Sequence, residues 1–286
     1  MNLTVALMEL TPSTAETFIT QACQEGAETI DLSDCTFADI GGIVRLVLLV
    51  RHLASRQHPV QLIIPKDEDV QSYLERANAF QEMRGLCQLD QSVEHLRYHG
   101  RYPTKKLVEI RPLEVEGQVR AIAECFSAAL KAHRNVSTQI IDAVERILYE
   151  TLQNIPEHAD PHRTLGVHNG LAALQRYSSR LCVSVGDLGI GIRESLTDNP
   201  QFPPDKYDHA RAIEAAITGA SRHGDCGRGG GLMSVMSAVK NLGGSLSIRS
   251  GNAIVRVDDL FGQLAEACAP FPGTQVDIVV PLSGRG

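Results

Sequence analysis

The sequence predicts an α+β protein with two domains, a small α/β domain over residues 1–100 and a two-layer α/β sandwich on a mixed sheet over 104–286. Strand and helix patterns alternate in the first part, whereas helices precede mostly adjacent strands in the second. The charge also differs, with a net of −7 over residues 1–100 and a net of zero over 101–286. A chain of 286 residues is long enough for two such domains.

The first part has one helix after each strand, which is typical of a small α/β unit. Strands are predicted for "LTVALMEL", "ETIDLS" and "VQLIIP", and helices for "STAETFITQACQEG", "GGIVRLVLLVRHLASRQ" and "DEDVQSYLERA". Ser13 is expected to cap the first helix, with Glu16 at the capping-box position. Gly100 and Pro103 interrupt both patterns, so residues 99–106 are predicted to form a linker.

The second part begins with two long helical patterns, at about 116–133 and 137–158. Strand-like stretches follow in "TLGVHNGLAALQRY" and "RLCVSVGD", and then a polar passage, 193–226, with one short helical piece. "GGGLMSVMSAVKNLGG" predicts a glycine loop, a helix and a glycine stop. "SLSIRSG", "AIVRVDD" and "TQVDIVVPL" are predicted strands, and residues 259–273 between the last two remain without an assignment.

The composition favours a reduced, cytoplasmic protein. Seven scattered cysteines without a CxxC pair argue against a disulfide framework and against a zinc ribbon. The longest apolar run, "GIVRLVLLV", contains Arg45 and is too short to cross a bilayer, and the N-terminal residues lack the features of a signal peptide. No basic stripe indicates nucleic acid as the main partner. We therefore expect neither membrane nor nucleic acid as a partner.

A polar stripe lies along the second long helix. Glu150, Asn154 and His158 are spaced by four residues, which places them on one helix face. The apolar residues lie on the other side, so the stripe should face something other than the hydrophobic core. Pro156 removes a backbone donor between the last two and should kink the final turn.

Three further segments carry glycines where a backbone could approach a ligand. In "VGDLGIGI", Asp187 ends a strand and could accept a hydrogen bond from an exocyclic amine, while Gly189 and Gly191 allow a sharp bend. In "GDCGRGGGLMSV", a glycine loop leads into a helix whose N-terminal amides favour phosphate. In "PGTQVDIVVP", Gly273 and Thr274 open a strand. Each segment alone is equally typical of a turn or a flexible loop.

Together and in this order, the four segments resemble the motifs of the GHKL nucleotide-binding family, which includes gyrase, heat-shock chaperone, sensor histidine kinase and mismatch-repair ATPases. "ETLQNIPEHA" is similar to the N box, "DLGIGI" to the first glycine box, "GRGGGL" to the second, and "GT" before a strand to the last motif. The resemblance covers roughly residues 115–282. The His158-Ala159 ending is most similar to anti-sigma-factor kinases and sensor kinases.

The resemblance implies that the protein binds ATP or ADP with Mg²⁺. Asn154 would hold the metal through its side-chain oxygen, and Glu150 would orient or deprotonate the attacking nucleophile. Asp187 would accept a hydrogen bond from the adenine amino group, and residues 193–226 would form the ATP lid. Arg222 and Arg228 would each be a phosphate contact or a solvated loop residue. The other implied binding residues are His158, Gly189, Gly191, Ile192, Gly227, Gly229, Gly230, Gly231, Leu232 and Thr274.

The first domain resembles a STAS domain, the fold of anti-sigma-factor antagonists. The resemblance lies in "TIDLSDCTFADIGGIVRLVLLVRHLASRQHPVQLIIP". Those domains usually carry a phosphorylatable serine in a "D-S-S-G" turn, which residues 39–42, "DIGG", match without the serine. The resemblance therefore implies a docking or dimerising module that lacks the phospho-switch.

Three functions remain open on the sequence alone. The first is a nucleotide-gated regulatory protein that recognises a protein partner through its N-terminal domain, with slow phosphoryl transfer or hydrolysis. The second is a serine/threonine protein kinase of the anti-sigma-factor type acting on another chain. The third is a dimeric clamp-type ATPase, whose usual transducer domain is not expected here. Glu150 favours an enzyme over a protein that only binds nucleotide, and a homodimer is compatible with these functions.

Overall fold

The computed structural model describes residues 4–24, 26, 28–56, 60–91, 107–113, 115–133, 136–158, 170–203, 205–222, 230–258 and 262–282, with the backbone alone at 107, 108, 157 and 158. The predicted linker and the domain boundary near residue 100 lie outside these ranges. Within them, no helix has both the length and the apolar character that crossing a membrane requires.

The N-terminal unit is a parallel α/β arrangement, as its alternating pattern predicts. Its elements are β1 (Thr4–Ala6), β2 (Glu9–Leu10), α1 (Pro12–Gln24), β3 (Thr29–Asp31), β4 (Phe37–Ala38), α2 (Ile40–Ser55), β5 (Gln61–Ile63), α3 (Glu68–Arg76), α4 (Ala79–Glu82) and β6 (Gln88–Leu89). Four strands form a parallel sheet in the order β1-β3-β5-β6, and β2 pairs with β4 separately.

The predicted capping box at the first helix is wrong. Ser13 already lies inside α1. Thr11 and Thr14 bond reciprocally, with the Thr14 N–H 3.2 Å from Thr11 Oγ1 and the Thr11 N–H 2.9 Å from Thr14 Oγ1. The Glu16 carboxylate instead contacts Arg249 of the C-terminal unit. The Glu16 side chain, which the local pattern assigned to the helix cap, therefore forms a tertiary ion pair instead.

The C-terminal unit is built on a five-stranded sheet of order β10-β11-β9-β8-β7. Its elements are β7 (Leu107–Leu113), α5 (Gln118–Lys131), α6 (Thr138–His158), β8 (Gly170–Arg176), β9 (Arg180–Asp187), α7 (Gly191–Leu196), α8 (His209–Ile217), α9 (Gly231–Asn241), β10 (Ser245–Asp258) and β11 (Gly262–Pro281). Every described pairing in this sheet is antiparallel, so the predicted mixed sheet is wrong. Two of the pairs, β8–β9 and β10–β11, join strands that are consecutive in the chain, and such direct connections give antiparallel pairs.

Three strand predictions also need correction. β7 was not predicted; it contains Pro112 and lies at the edge of the sheet beside a register shift, where a proline is tolerated. The two stretches predicted before residue 259 are a single strand, β10, with irregular register at Ser250 and Gly251. Residues 262–273, which had no assignment, form the first part of β11 and pair with the second half of β10.

The five-stranded sheet is covered on both faces. On β8, Ala172 and Leu174 belong to the core shared with α5, α6 and α9, whereas Leu171 and Ala173 belong to the core shared with α1 and α2. The alternation follows the two-residue period of a strand. The C-terminal unit therefore has the two expected layers, and the helices of the N-terminal unit add a third layer behind its sheet.

Candidate functional site

A cavity of about 570 Å³ lies between α6, α7, α9 and the strands β9 and β11. Nine of the residues that the motifs predict line it: Glu150, Asn154, Asp187, Gly191, Ile192, Gly230, Gly231, Leu232 and Thr274. The other lining residues are Glu116, Thr151, Gln153, Ile155, Val185, Ser195, Leu196, Ala216, Ala220, Ser221, Arg222 and Val276. Segments that are distant in the chain thus meet at one cavity.

The remaining predicted site residues stand differently. Gly189 does not line the cavity, but its N–H donates to Asp187 Oδ1 at 2.7 Å. Residues 227–229 of the second glycine segment lie outside the described part of the chain. Only the backbone of His158 is described, at the end of α6. The contacts expected from residues 227–229 and from the His158 side chain stay predictions.

The polar stripe of α6 faces the cavity. Glu150 and Asn154 both line it, whereas Leu148 and Leu152 on the same helix are fully buried in the core. Pro156 lies inside α6, which continues to its end two residues later. The four-residue spacing therefore separates a cavity face from a core face, as the sequence predicts.

The N-terminus of α9 forms another part of the wall. Gly230 precedes the helix with a φ of +95°, a conformation that favours glycine. A Cβ at Gly231 would lie 3.0 Å from Glu150 Oε2 and 3.9 Å from Asn154 Oδ1, so the helix start lies directly against the polar stripe. First-turn amides have no partner within the helix, and with the helix dipole they favour an anion.

Asp187 is buried at the end of β9, where its side chain is within the cavity wall. Burial raises the pKa of its carboxyl to about 7, although hydrogen bonds from the backbone N–H groups of Gly189 and Thr274 act in the opposite direction. A carboxylate that is poorly solvated gains more than a solvated one from an added hydrogen-bond donor. The site therefore suits a ligand that presents an N–H group to Asp187.

Gly273 explains the last motif. Its φ is +77°, and a Cβ there would lie 2.0 Å from the Asp187 carbonyl oxygen and 2.7 Å from Asp187 Oδ1. The chain can pass this close to Asp187 only without a side chain. The glycine thus holds the start of the Thr274 strand against the end of β9.

Ser250 is a site residue that the sequence interpretation missed. It lies on β10 with 1% of its surface exposed, and its Oγ accepts a hydrogen bond from the Ile192 N–H at 2.9 Å. The same Oγ is 3.2 Å from the Gly273 carbonyl oxygen and 3.3 Å from Thr274 Oγ1. No local signal marks this serine, because the pairing of β10 with β11 brings it to residues more than 20 positions away.

The expected lid region contains two helices, α7 and α8, and the second matches the predicted short helical piece. Arg222 lines the cavity at the end of the described part of this region, and its Nη2 is 3.0 Å from Asp198 Oδ2. A guanidinium already at the wall could exchange this exposed carboxylate for a phosphate.

The described residues hold no group of three or more His, Cys, Asp or Glu side chains that could bind a metal. Asn154 offers an amide oxygen at the cavity, close to the start of α9. A hard cation at this place would take most of its ligands from water and from the bound ligand, which is how Mg²⁺ is commonly held at phosphates.

Comparison with known proteins does not identify a family. No protein-family model matches the chain, and no curated protein is significantly similar to it. The resemblance to the GHKL and STAS families therefore rests on the sequence motifs alone.

Proposed function

We propose that this protein is a Mg²⁺-dependent ATP-binding regulatory protein, in which nucleotide gates a protein interaction and undergoes slow phosphoryl transfer or hydrolysis. The observation that carries the proposal is the meeting of four motif segments at one cavity of about 570 Å³. This volume is within the range of about 300–1,000 Å³ typical of small-molecule sites. Asp187 offers an acceptor for a base, and the start of α9 beside Asn154 offers donors for phosphates.

In this proposal each polar group has one task. Asp187 accepts the adenine amino group, and the α9 amides with Arg222 bind phosphate oxygens. Asn154 holds Mg²⁺, which would neutralise charge on the phosphates when bound. Glu150, one helical turn before Asn154, aligns the nucleophile. The support for this arrangement is that the described members of the set share one wall.

The β10–β11 hairpin, described over residues 251–258 and 262–271, supplies a route by which nucleotide could affect the N-terminal unit. Val255 on one side belongs to the same buried cluster as Ile213 of the lid helix α8. Phe271 belongs to the cluster shared with α1 and α2, and its ring centroid is 5.2 Å from that of His52 on α2. A rearrangement of the lid would therefore act on a hairpin that also contacts the N-terminal helices.

The N-terminal unit is the proposed contact for a protein partner. Met8, directly before β2, and Phe37, on the neighbouring strand β4, are exposed large apolar residues, 70% and 42% accessible. The net charge of −7 over residues 1–100 favours a partner surface that is basic around an apolar centre. The faces of α1 and α2 that pack on the C-terminal sheet are covered by it, so they are not the proposed contact.

The segment that matches the STAS turn, residues 39–42, is tightly packed at Gly41. A Cβ at Gly41 would lie 2.7 Å from Asp277 Oδ1 and 2.7 Å from Pro12 Cγ. A side chain there would have to displace the contact between α2 and the C-terminal sheet. This supports a docking module that lacks the phospho-switch.

A serine/threonine protein kinase of the anti-sigma-factor type, acting on another chain, is the second candidate. Glu150 favours it, because its carboxylate lies beside the start of α9, where the proposal places the phosphates. A protein that only senses nucleotide would not need a general base beside the proposed phosphates.

Asp187→Asn should weaken ATP and ADP equally, by about ten- to a hundred-fold, because a charge-assisted hydrogen bond to adenine is lost. Titration calorimetry measures the affinities, with Asp142→Asn, an exposed α6 variant, as the control. Since burial raises the pKa of Asp187 to about 7, protonation below that pH removes the negative charge that strengthens the hydrogen bond. Wild-type affinity should therefore fall from pH 8 to pH 6 more steeply than that of Asp187→Asn. Unchanged affinity in the variant would remove Asp187 from the base pocket.

Asn154→Ala should weaken Mg·ATP by about ten- to a hundred-fold, because a metal ligand is lost. ATP in excess EDTA should bind much as it does to the wild type, so the variant loses most of its Mg²⁺ dependence. Gln153→Ala, the neighbouring amide on the cavity wall, is the matched control and should keep that dependence. A variant that stays fully Mg²⁺-dependent would show that Asn154 does not bind the metal.

A further inference from the structure

The Ser250 hydroxyl is fully used by three contacts. A hydroxyl has one donor and two acceptor positions. The Ile192 N–H donates to Ser250 Oγ, which donates in turn to the Gly273 carbonyl oxygen. The remaining acceptor position then receives the Thr274 hydroxyl, whose Oγ1 is 3.3 Å away. One buried oxygen therefore connects the first glycine box with the last motif.

The surrounding backbone is shaped to fit this oxygen. Ser250 lies where the register of β10 against β11 shifts, and such irregularities re-aim a side chain. Gly191 has a φ of +81°, and a Cβ there would lie 2.8 Å from Ser250 Oγ. The glycine box can close onto the serine only because residue 191 has no side chain.

Two of the residues that contact Ser250 also contact Asp187. Thr274 donates its backbone N–H to Asp187, and Gly273 packs on the Asp187 carbonyl oxygen. Ile192, Thr274 and Asp187 all line the cavity, whereas Ser250 does not. Ser250 thus holds the residues of the wall without forming part of the wall itself.

Resting on the proposed function, we infer that Ser250 is a positioning residue for the adenine end of the site. Its hydroxyl fixes the distance between the glycine box and the Gly273-Thr274 segment, so the base has a preformed slot beside Asp187. Among the described residues, its hydroxyl makes hydrogen bonds to Ile192, Gly273 and Thr274 and not to Glu150, Asn154 or the start of α9, so these groups should be independent of it. Ser250 therefore affects recognition of the base and leaves phosphate binding unchanged.

The test compares Ser250→Ala and Ser250→Thr with Ser247→Ala, a control on the same strand outside the cavity lining. Titration calorimetry is run with ATP, with adenosine and with Mg²⁺-loaded inorganic tripolyphosphate. Ser250→Ala should lose about ten-fold in affinity for both ATP and adenosine, because a buried N–H and a buried carbonyl oxygen are left unpaired. Its affinity for tripolyphosphate should match the wild type, and Ser250→Thr, which keeps the hydroxyl, should restore most of the adenosine affinity.

Four outcomes would overturn the inference: wild-type adenosine affinity in Ser250→Ala, a proportional loss of tripolyphosphate, a Ser250→Thr variant as weak as Ser250→Ala, or a Ser247→Ala variant that loses adenosine equally. If Ser250→Ala does not fold in a thermal melt, Ser250→Cys, which keeps the size and weakens the hydrogen bonds, replaces it under the same criteria. A wild-type protein that binds neither ATP nor adenosine would refute the proposed function instead.

Discussion

Glu150→Ala should lower ATP turnover or phosphoryl transfer by about 10²–10⁴-fold, the usual contribution of a general base. Mg·ATP affinity should stay close to that of the wild type, because the proposed metal ligand Asn154 and the proposed phosphate site at the start of α9 remain. Label released or transferred from γ-labelled ATP measures the rate, with and without candidate protein substrates. Calorimetry on the same preparation measures binding, so loss of chemistry is separated from loss of nucleotide.

The matched control is Glu116→Ala, which removes another carboxylate from the same cavity wall but not from the stripe of α6. Its rate should remain near that of the wild type. Full activity in Glu150→Ala would make Glu150 a helix residue without a chemical role, and the protein would be a nucleotide sensor. Equal loss in both variants would indicate a general effect of negative charge rather than a positioned base.

Glu16→Ala should lower the free energy of unfolding by about 3–5 kcal/mol, the usual cost of removing one partner from a buried ion pair. Arg249 has no exposed surface, and its Nε lies 3.0 Å and 2.9 Å from the two carboxylate oxygens of Glu16. Without Glu16, the guanidinium keeps contacts to backbone carbonyl oxygens, among them that of Ala269 at 2.6 Å. Urea unfolding followed by circular dichroism measures the change.

Two controls make the stability test specific. Arg120→Ala removes an exposed ion pair on α5, with side chains 83% and 57% accessible, and should cost less than about 1 kcal/mol. The double variant Glu16→Leu/Arg249→Met replaces the buried pair by apolar groups and should be more stable than Glu16→Ala. A Glu16→Ala variant no less stable than Arg120→Ala would mean that α1 does not pack on the sheet as described.

Most individual helices and strands could be predicted from the sequence, because their hydrophobic periods are local. The run of α2 was recognisable as a helix, but the layers that cover it were not. Residues 40–51 are buried throughout, and Arg45 within them is 2.8 Å from Asp277 of the other unit. A helix that is apolar all round indicates burial on all sides, but its sequence does not show which elements bury it. The third layer, formed by the N-terminal helices, could therefore be recognised only in the structure.

The candidate site could be predicted where residues lie within one motif. Spacing alone placed Glu150 and Asn154 on one face, and glycines marked the turns at Asp187 and at the start of α9. Ser250 could not be predicted, because its partners come from strand pairing across a hairpin of 20 residues or more. The role of Gly273 likewise required its approach to Asp187, which no local pattern records.

The most direct test of the central claim is calorimetric titration of the full chain with ATP, with ADP and with GTP, each with and without Mg²⁺. We expect saturable binding of one ATP per chain, strengthened by Mg²⁺, and binding of ADP as well. GTP should bind much more weakly, because guanine presents a carbonyl oxygen where adenine would present an N–H donor to Asp187. Absence of adenine-nucleotide binding in the presence of Mg²⁺, or equal affinity for GTP and ATP, would refute the proposed function.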